Sequence, residues 1–291
     1  MEYIQGIAVL IGINLIAVLG LSILTGFTGL FSFGHGGFMA IGAYISAIVS
    51  SRLDLPVPIA FPLAIVAGAL AAGLVSIFIG KLTLNLKGDY FCIATMGFGE
   101  AIRVLLENLP ITQGARGLPG IRSETSLPVL LVVTFVIIWF AWNLIHSRHG
   151  RACIAIREDF VAAEMMGVNI FIGRLRSLVF SAFCAGIAGG LFAHYFCFIQ
   201  PSMFTSYMST QMTAAVVAGG MGSISGPVIA TLVFIGIPEA LRVANIWRLV
   251  AYGFLLVLIM VFRPQGLMGY RELSLDMVKG WCRSIKKGGK A

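Results

Sequence analysis

The chain has 291 residues, of which 58% are hydrophobic and only 11% are charged, and its formal net charge is +8. An ordinary soluble domain is about 45–50% apolar and about 25% charged, so this composition excludes a soluble fold. A basic excess in a soluble protein would indicate a nucleic-acid partner. In a membrane protein, the placement of basic residues first indicates the orientation of the chain in the bilayer.

Long apolar runs recur from the first residues to the last third of the chain. A helix that crosses a bilayer needs roughly 17–25 predominantly apolar residues. We therefore predict an all-α polytopic membrane protein with about nine transmembrane segments, some of them broken or re-entrant. The predicted spans are residues 3–24, 28–50, 57–80, 90–108, 127–146, 176–199, 208–221, 226–242 and 246–263.

The basic residues are concentrated in three regions of the chain. Cytoplasmic loops of membrane proteins carry an excess of Lys and Arg, and the predicted spans alternate between the three regions without contradiction. We therefore expect an outside N-terminus and an inside C-terminus. One transmembrane domain covers residues 1–268, with a cytoplasmic loop at 147–175, and a basic tail follows at 269–291. The basic residues are Lys81 and Lys87; Arg148, Arg151, Arg157, Arg174 and Arg176; and Arg263, Arg271, Lys279, Arg283, Lys286, Lys287 and Lys290.

No pattern in the chain indicates covalent chemistry. The phosphate-binding loop, the zinc-binding H-E-x-x-H pair and the G-x-S-x-G nucleophile turn are all missing from the sequence. The five cysteines are scattered without a C-x-x-C pair, so we interpret them as reduced and structural. We predict no catalytic residue and no metal site, and any ATP that the protein uses must be bound by another chain.

Two glycine-rich segments interrupt the apolar pattern, GFTGLFSFGHGGF at 26–38 and VAGGMGSISGP at 217–227. Paired interruptions in the early and late parts of a transporter indicate a substrate site, because helix ends and polar atoms are then exposed at membrane depth. Close packing of helices through small residues explains the same pattern, and a histidine there can be a hydrogen-bonded packing residue. The candidate pathway residues are Ser32, His35, Gly36, Gly37, Gly219, Gly220 and Ser223.

Two acidic and basic pairs lie inside predicted spans. Glu100 and Arg103 are three residues apart, as are Glu239 and Arg242, so each pair shares one helix face. A charge at the bilayer centre costs about 2.5–3.5 kcal/mol on insertion scales. We therefore expect either ion pairing or an aqueous cavity at both places.

The most polar stretch between spans is GRACIAIREDFVAAEMMGV, residues 150–168. Asp159 is placed to cap a short helix that Gly167 would end in a left-handed conformation. Residues 150–157 predict another short helix with Ile154 and Ile156 facing inward. Such short helices need a docking surface to persist, and the second suits insertion into a partner's groove. A solvated connector at the lipid headgroups remains the alternative.

This stretch resembles the cytoplasmic loop of the LivM-type permeases of branched-chain amino acid ABC importers. Five further blocks are similar to blocks of that family, in the same order. They are GLFSFGHGGFMAIGAY at 29–44, GDYFCIATMGFGEAIR at 88–103, ITQGARGLPGI at 111–121, VVAGGMGSISGP at 216–227 and RPQGLMG at 263–269.

The resemblance implies a multi-pass permease of the bacterial cytoplasmic (inner) membrane that carries branched-chain or related amino acids. It implies a LivH-like second permease, two LivG/LivF-like ATPases that bind ATP and magnesium, and an extracytoplasmic solute-binding protein. It implies no cofactor on this chain and no nucleic acid. The loop would dock into an ATPase as a coupling helix through Arg157, Glu158, Asp159, Ala162, Ala163, Glu164 and Gly167.

Other functions remain open at this point. Permeases for urea, amides or other amino acids look similar to this family. An ion-coupled secondary carrier would use His35, Glu100 and Glu239 as relay residues, but such a carrier does not need a docked helix at 150–168. A membrane scaffold without transport is disfavoured by the paired glycine segments.

Overall fold

The computed structural model describes residues 2–52, 56–86, 88–240, 247–263 and 266–269. The basic tail at 270–291 and Arg242 therefore lie outside the described residues. The described part is almost entirely helical, with one short antiparallel pair of strands, β1 (Leu118–Pro119) and β2 (Phe198–Ile199). The α-helices are α1 Glu2–Ser22, α2 His35–Arg52, α3 Val57–Thr83, α4 Asp89–Asn108, α5 Leu127–His146, α6 Arg148–Glu158, α7 Phe160–Met165, α8 Ile170–Phe196, α9 Ser206–Gly219, α10 Ser225–Ala240 and α11 Trp247–Phe262.

Within the described residues, four helices are long and apolar enough to cross a membrane: Tyr3–Phe27, Ile59–Thr83, Leu127–His146 and Ile170–Phe196. Their outward faces carry large apolar side chains, such as Leu74 on α3 and Phe135 on α5, which are 67% and 70% exposed. A surface of this kind is stable against lipid and unstable in water. The prediction of an all-α polytopic membrane protein is confirmed in this coarser form.

The centre of the protein is built on small residues where α2, α3 and α8 cross. A Cβ added to Gly42 on α2 would collide with the backbone of Gly186 on α8. A Cβ added to Gly186 would in turn lie 2.8 Å from Cα of Ala69 on α3. Helices in lipid associate through such close approach, because lipid tails are as apolar as leucine and the hydrophobic effect cannot drive them together.

The loops collect at two opposite ends of the helix bundle. At one end β1 pairs with β2, and Oγ1 of Thr125 donates to the carbonyl of Leu191 at 3.0 Å. At the other end, the amide of Leu267 donates to the carbonyl of Ala218 at 2.8 Å, and α6 contacts the end of the first long helix. The loop at 147–169 precedes α8 and strand β2 follows it, so the loop and the strand pair lie at opposite ends of that helix.

Two predicted boundaries are wrong. The second span begins at His35 and not at 28, because a left-handed Gly29 (φ 75°) follows the first helix and residues 29–34 are not helical. Helix α8 begins at Ile170 and not at 176, because Oδ1 of Asn169 caps it by accepting from the amide of Ile172 at 3.0 Å. Arg174 and Arg176 therefore lie in a helix, and the loop spans 147–169.

Because α2 and α8 cross closely, the effect of a Gly→Ala substitution on stability should depend strongly on where the glycine lies. We expect Gly42→Ala to destabilise the protein by about 1–3 kcal/mol, because overpacking forces the two backbones apart. Gly73→Ala on α3 is the matched control, since its Cβ would meet only Cγ1 of Val179 at 3.9 Å. Thermal unfolding of the detergent-solubilised variants measures both, and equal stability of the two would contradict the packing described.

Candidate functional site

The polar segment, residues 147–169, folds into two short helices joined at a cap. Oγ of Ser147 accepts from the amides of His149 and Gly150 at 3.2 and 3.4 Å, and these bonds begin α6. Oδ1 of Asp159 accepts from the next free amides, at 2.8 and 3.1 Å, and begins α7. Gly167 follows α7 with φ 81°. The predicted Asp159 cap, the left-handed Gly167 and the two short helices are confirmed, and the Ser147 cap was not predicted.

One side of the polar segment packs on the rest of the protein. Ile156 is buried, and Ile154 packs against the main core, as predicted. Sγ of Cys153 lies 3.2 Å from Oγ of Ser177, which joins α6 to α8, and burial raises the pKa of this thiol. Burial and then the neighbouring Arg176 guanidinium lower the pKa of His149. The formal positive charges of α6 near neutral pH are therefore those of its arginines.

Helix α7 presents an apolar surface to its outside. Phe160 and Val161 are 55% and 54% exposed, and Met165 and Met166 are 85% and 84% exposed. We call these four residues the α7 surface. The face predicted from the sequence to enter a partner's groove comprised Ala162 and Ala163 together with Met165 and Met166. It is wrong for Ala163, which packs on its own chain and is only 4% exposed.

Arg157, Glu158 and Glu164, which the family resemblance would place at the ATPase contact, differ in their exposure. Glu164 is exposed, and the side chain of Glu158 is 65% exposed. The side chain of Arg157 is only 16% exposed, because it turns into the protein. Its Nη1 donates to the carbonyl of Gly26 at 2.6 Å, and its Nη2 donates to Oε1 of Glu158 at 2.6 Å.

The first glycine-rich segment breaks the helical order of the backbone. Helix α1 continues as a π-helical turn, Ile23–Phe27, and the chain then runs without helix from residue 29 to 34. His35 begins α2, and its Nε2 lies 2.5 Å from Oγ of Ser181 on α8. Ser181 is about 16 Å along the axis of α8 from the first residue of that helix. The break therefore lies at membrane depth.

Hydroxyl side chains from other helices bond the backbone of this break and of the α2 turn that follows it. Oγ1 of Thr95 on α4 accepts from the amide of Phe33 at 3.2 Å. Oγ of Ser209 on α9 accepts from the amide of Gly36 at 2.8 Å. Sequence reasoning missed both residues, although a hydroxyl inside an apolar span was an available signal. These hydroxyls supply hydrogen-bond acceptors to backbone amides that have no water to bond at membrane depth.

The second glycine-rich segment also ends a helix. Gly220 and Gly222 have φ values of 120° and 123°, in the region that favours glycine. The carbonyl of Gly219 accepts from the amide of Met268 at 3.1 Å, so residues 266–269 pack onto this break. These contacts fit the close-packing interpretation of Gly219 and Gly220.

The two glycine-rich segments meet inside the protein. A Cβ on Gly26 would lie 3.5 Å from the amide nitrogen of Gly222. Oγ1 of Thr213 on α9 donates to the carbonyl of Ser32 at 3.2 Å. In the part of the chain that the structure describes, no hydrogen bond joins a predicted pathway residue of the first segment to one of the second. Their role in a substrate pathway stays a prediction. All seven are buried: Ser32, His35, Gly36, Gly37, Gly219, Gly220 and Ser223.

The charged pair on α4 is an ion pair, as expected. Nε of Arg103 lies 2.7 Å from Oε2 of Glu100, and Nη1 lies 2.7 Å from Oε1 of Glu107. Oγ of Ser206 on α9 donates to the other oxygen of Glu100 at 2.6 Å. The three charged side chains are nevertheless 29–39% exposed. The second predicted pair cannot be compared, because the side chain of Glu239 and all of Arg242 lie outside the described residues.

A depression of about 660 Å³ borders this ion pair on the outer face of α4. Gly97, Glu100 and Asn108 are among its lining residues. Glu100 is about 12 Å along the axis from the nearer end of α4, which places it within the thickness of a bilayer. A charge at this depth needs water or an oppositely charged partner around it, and on this face of α4 no other described helix of the chain lines the depression.

Comparison with known proteins extends over most of the chain. The family model described as "Branched-chain amino acid transport system / permease component" matches residues 3–262. The high-affinity branched-chain amino acid transport system permease protein LivM of Escherichia coli (strain K12) is 33% identical, covering 94% of this chain and 72% of the relative.

Two further relatives carry similar names. LivH of Salmonella typhimurium, another permease protein of a high-affinity branched-chain amino acid transport system, is 29% identical over 89% of this chain and 92% of its own length. BraD of Pseudomonas aeruginosa is 28% identical over 94% and 96%. No solved structure matches the chain significantly. The match at 3–262, which covers both glycine-rich segments, the ion pair on α4 and the polar segment, establishes that the chain belongs to the permease-component family of branched-chain amino acid transport systems.

Proposed function

We propose that the chain is the transmembrane permease subunit of an ATP-driven importer of branched-chain or related amino acids in a bacterial cytoplasmic membrane. The observation that carries this proposal is the match to LivM of Escherichia coli over 94% of the chain. The substrate class follows the names of the relatives. An extracytoplasmic solute-binding protein delivers the substrate, and separate subunits bind ATP and magnesium.

The proposed topology has nine transmembrane segments, made by α1 to α5 and α8 to α11. Helix α9, with 14 residues, is shorter than a full crossing needs and forms a partial or re-entrant span. The end of the bundle that carries the polar segment faces the cytoplasm, because Arg148, Arg151 and Arg157 lie there. The strand pair β1–β2 then lies outside.

An ATPase subunit is the proposed partner of the α7 surface. Met165 and Met166 are the most exposed large apolar side chains of the described residues and lie outside the spans. Methionine adapts its shape to a groove, and a short amphipathic helix is a common insert for one. Exposed Glu158 and Glu164 flank this contact and supply its polar rim.

The second permease subunit is the proposed neighbour of α4. Lipid would leave the half-exposed charges of Glu100, Arg103 and Glu107 in hydrocarbon, which is costly. A water-filled pathway between two permease subunits hydrates this face and accepts a zwitterionic amino acid. The depression beside Gly97 forms one wall of the pathway.

The α7 surface predicts an assembly defect without a folding defect. Met165→Asp combined with Met166→Asp places two carboxylates in the proposed interface and removes nothing from the core. We expect the amount of ATPase that co-purifies with the permease to fall about tenfold or more, as at an interface hot spot. Uptake of radiolabelled leucine falls with it.

Ile111→Asp is the matched control, because Ile111 is 57% exposed at the opposite end of the bundle. This variant keeps its ATPases. Undiminished co-purification with the methionine double variant would rule out the α7 surface as the ATPase contact.

The pathway proposal predicts that a large side chain reduces uptake when it replaces one exposed glycine and not when it replaces another. A Cβ on Gly97 of α4 or on Gly253 of α11 meets no atom within 4 Å. Gly97→Trp fills the depression, so we expect uptake to fall about tenfold or more while the chain remains inserted. Gly253→Trp faces lipid and keeps uptake within about twofold. Similar uptake by the two variants in membrane vesicles would exclude α4 from the pathway and its subunit interface.

A further inference from the structure

We propose that Arg157 is a positioning residue of the transport cycle that links the polar segment to the backbone break in the first membrane helix. This inference rests on the proposed function, because it assigns how movement of the ATPases reaches the membrane. It changes the role of Arg157 from a contact with the ATPase to a contact within the permease.

The side chain of Arg157 points away from the surface that a partner would cover. It is only 16% exposed, whereas the neighbouring Glu158 is 65% exposed. Nη1 donates to the carbonyl of Gly26, which is 131 residues away along the chain, at 2.6 Å. A Cβ on Gly29 would lie 3.1 Å from Cγ of Arg157, so the aliphatic part of the side chain packs on the same turn of backbone.

The arginine is placed to follow α7 when that helix moves. Arg157 lies in the last turn of α6, and Asp159 caps α7 two residues later. The amide of Asp159 donates to the carbonyl of Ala155 at 3.1 Å, so the junction between α6 and α7 contains no free linker. A push on the α7 surface is therefore carried to the Arg157 side chain.

The carbonyl that Arg157 holds belongs to an irregular turn. Gly26 lies in the π-helical turn Ile23–Phe27, and single π-helical turns inside α-helices often occur at functional sites. The same turn is braced on its other side by Oγ1 of Thr28, which donates to the carbonyl of Ile23 at 2.9 Å. Because the turn departs from regular α-helical bonding, its carbonyls are available to a donor from another segment.

Gly26 also brings the second break into the linkage. A Cβ on Gly26 would lie 3.5 Å from the amide nitrogen of Gly222, so no side chain separates the two backbones. Gly222 lies between α9 and α10, and α9 supplies the Thr213 hydroxyl that bonds the break at 29–34 and the Ser209 hydroxyl that bonds the first turn of α2. One guanidinium thus contacts the point where the two glycine-rich segments meet.

Arginine has the chemistry that this position needs. Its guanidinium stays charged and offers several donors in a fixed plane, so it bonds Gly26 and Glu158 at the same time. The carboxylate of Glu158 balances the charge of a side chain that is largely removed from water. The bond to Gly26 is charge-assisted and stronger than a bond between neutral groups.

The test compares Arg157→Gln with Arg151→Gln in the complete importer reconstituted in liposomes. Arg151 is an exposed arginine of the same helix whose Nη1 donates to the carbonyl of His146, the last residue of α5, at 3.0 Å. Three quantities are measured for each complex: ATPase bound per permease, amino acid transported, and ATP hydrolysed.

We expect Arg157→Gln to retain its ATPases while the amino acid transported per ATP hydrolysed falls about tenfold or more. That factor corresponds to the loss of one charge-assisted hydrogen bond. Arg151→Gln behaves as the unsubstituted complex does. Loss of ATPase from the Arg157→Gln complex would show that Arg157 is a direct ATPase contact, and unchanged transport per ATP would show that the link carries no motion; either result overturns the proposal.

Arg157→Lys keeps the test decisive if the glutamine variant does not insert. Lysine retains a charged donor, and we expect transport per ATP to recover to within about threefold of the unsubstituted complex. An inserted, ATPase-bound lysine variant with full ATP hydrolysis and no recovery of transport would contradict the hydrogen bond to Gly26. An unsubstituted complex that transports no amino acid would instead contradict the proposed function, so the two failures are distinguishable.

Discussion

Backbone N–H and C=O groups inside a bilayer have no water to bond, and the non-helical residues 29–34 are where this constraint bears most heavily on the protein. The hydroxyl of Thr95 accepts from the amide of Phe33 in this segment, and the hydroxyl of Ser209 accepts from the amide of Gly36 just after it. The small residues that bring the helices close enough for these bonds are the same ones that build the core, such as Gly42 against Gly186. Packing and polar satisfaction are therefore one requirement, and a break at membrane depth is stable only within this set of neighbours.

The polar segment is attached to that break and is not an independent loop. Its caps at Ser147 and Asp159 set two short helices, and Cys153 and Ile156 pack one side of them onto the spans. The other side leaves the α7 surface bare. A segment with one side packed on the membrane domain and an adaptable apolar surface on the other has the form expected of a connection between a membrane protein and a partner. On the inner side, the hydrogen bond from Arg157 to the carbonyl of Gly26 joins the polar segment to the first membrane helix.

Local signals predicted what local interactions decide. The helix between Asp159 and Gly167 was predictable because the cap and the left-handed stop lie within a few residues of it. The start of α2 was not, because its backbone is held by hydroxyls 62 and 173 residues away along the chain. The inward turn of Arg157 depends on a carbonyl 131 residues away. The burial of Ala163 depends on which side of α7 packs against the rest of the protein. The sequence of a short apolar helix does not predict that side.

The central claim is that the polar segment faces the cytoplasm, opposite the strand pair. Membrane-impermeant thiol labelling tests it most directly, with one cysteine at a time in an otherwise cysteine-free chain. Met165→Cys probes the α7 surface, and Ser202→Cys probes an exposed position at the opposite end of the bundle. The account predicts that Met165→Cys is labelled only in inside-out vesicles and Ser202→Cys only in intact right-side-out cells. Labelling of Met165→Cys from outside the cell would contradict both the orientation and the ATPase contact built on it.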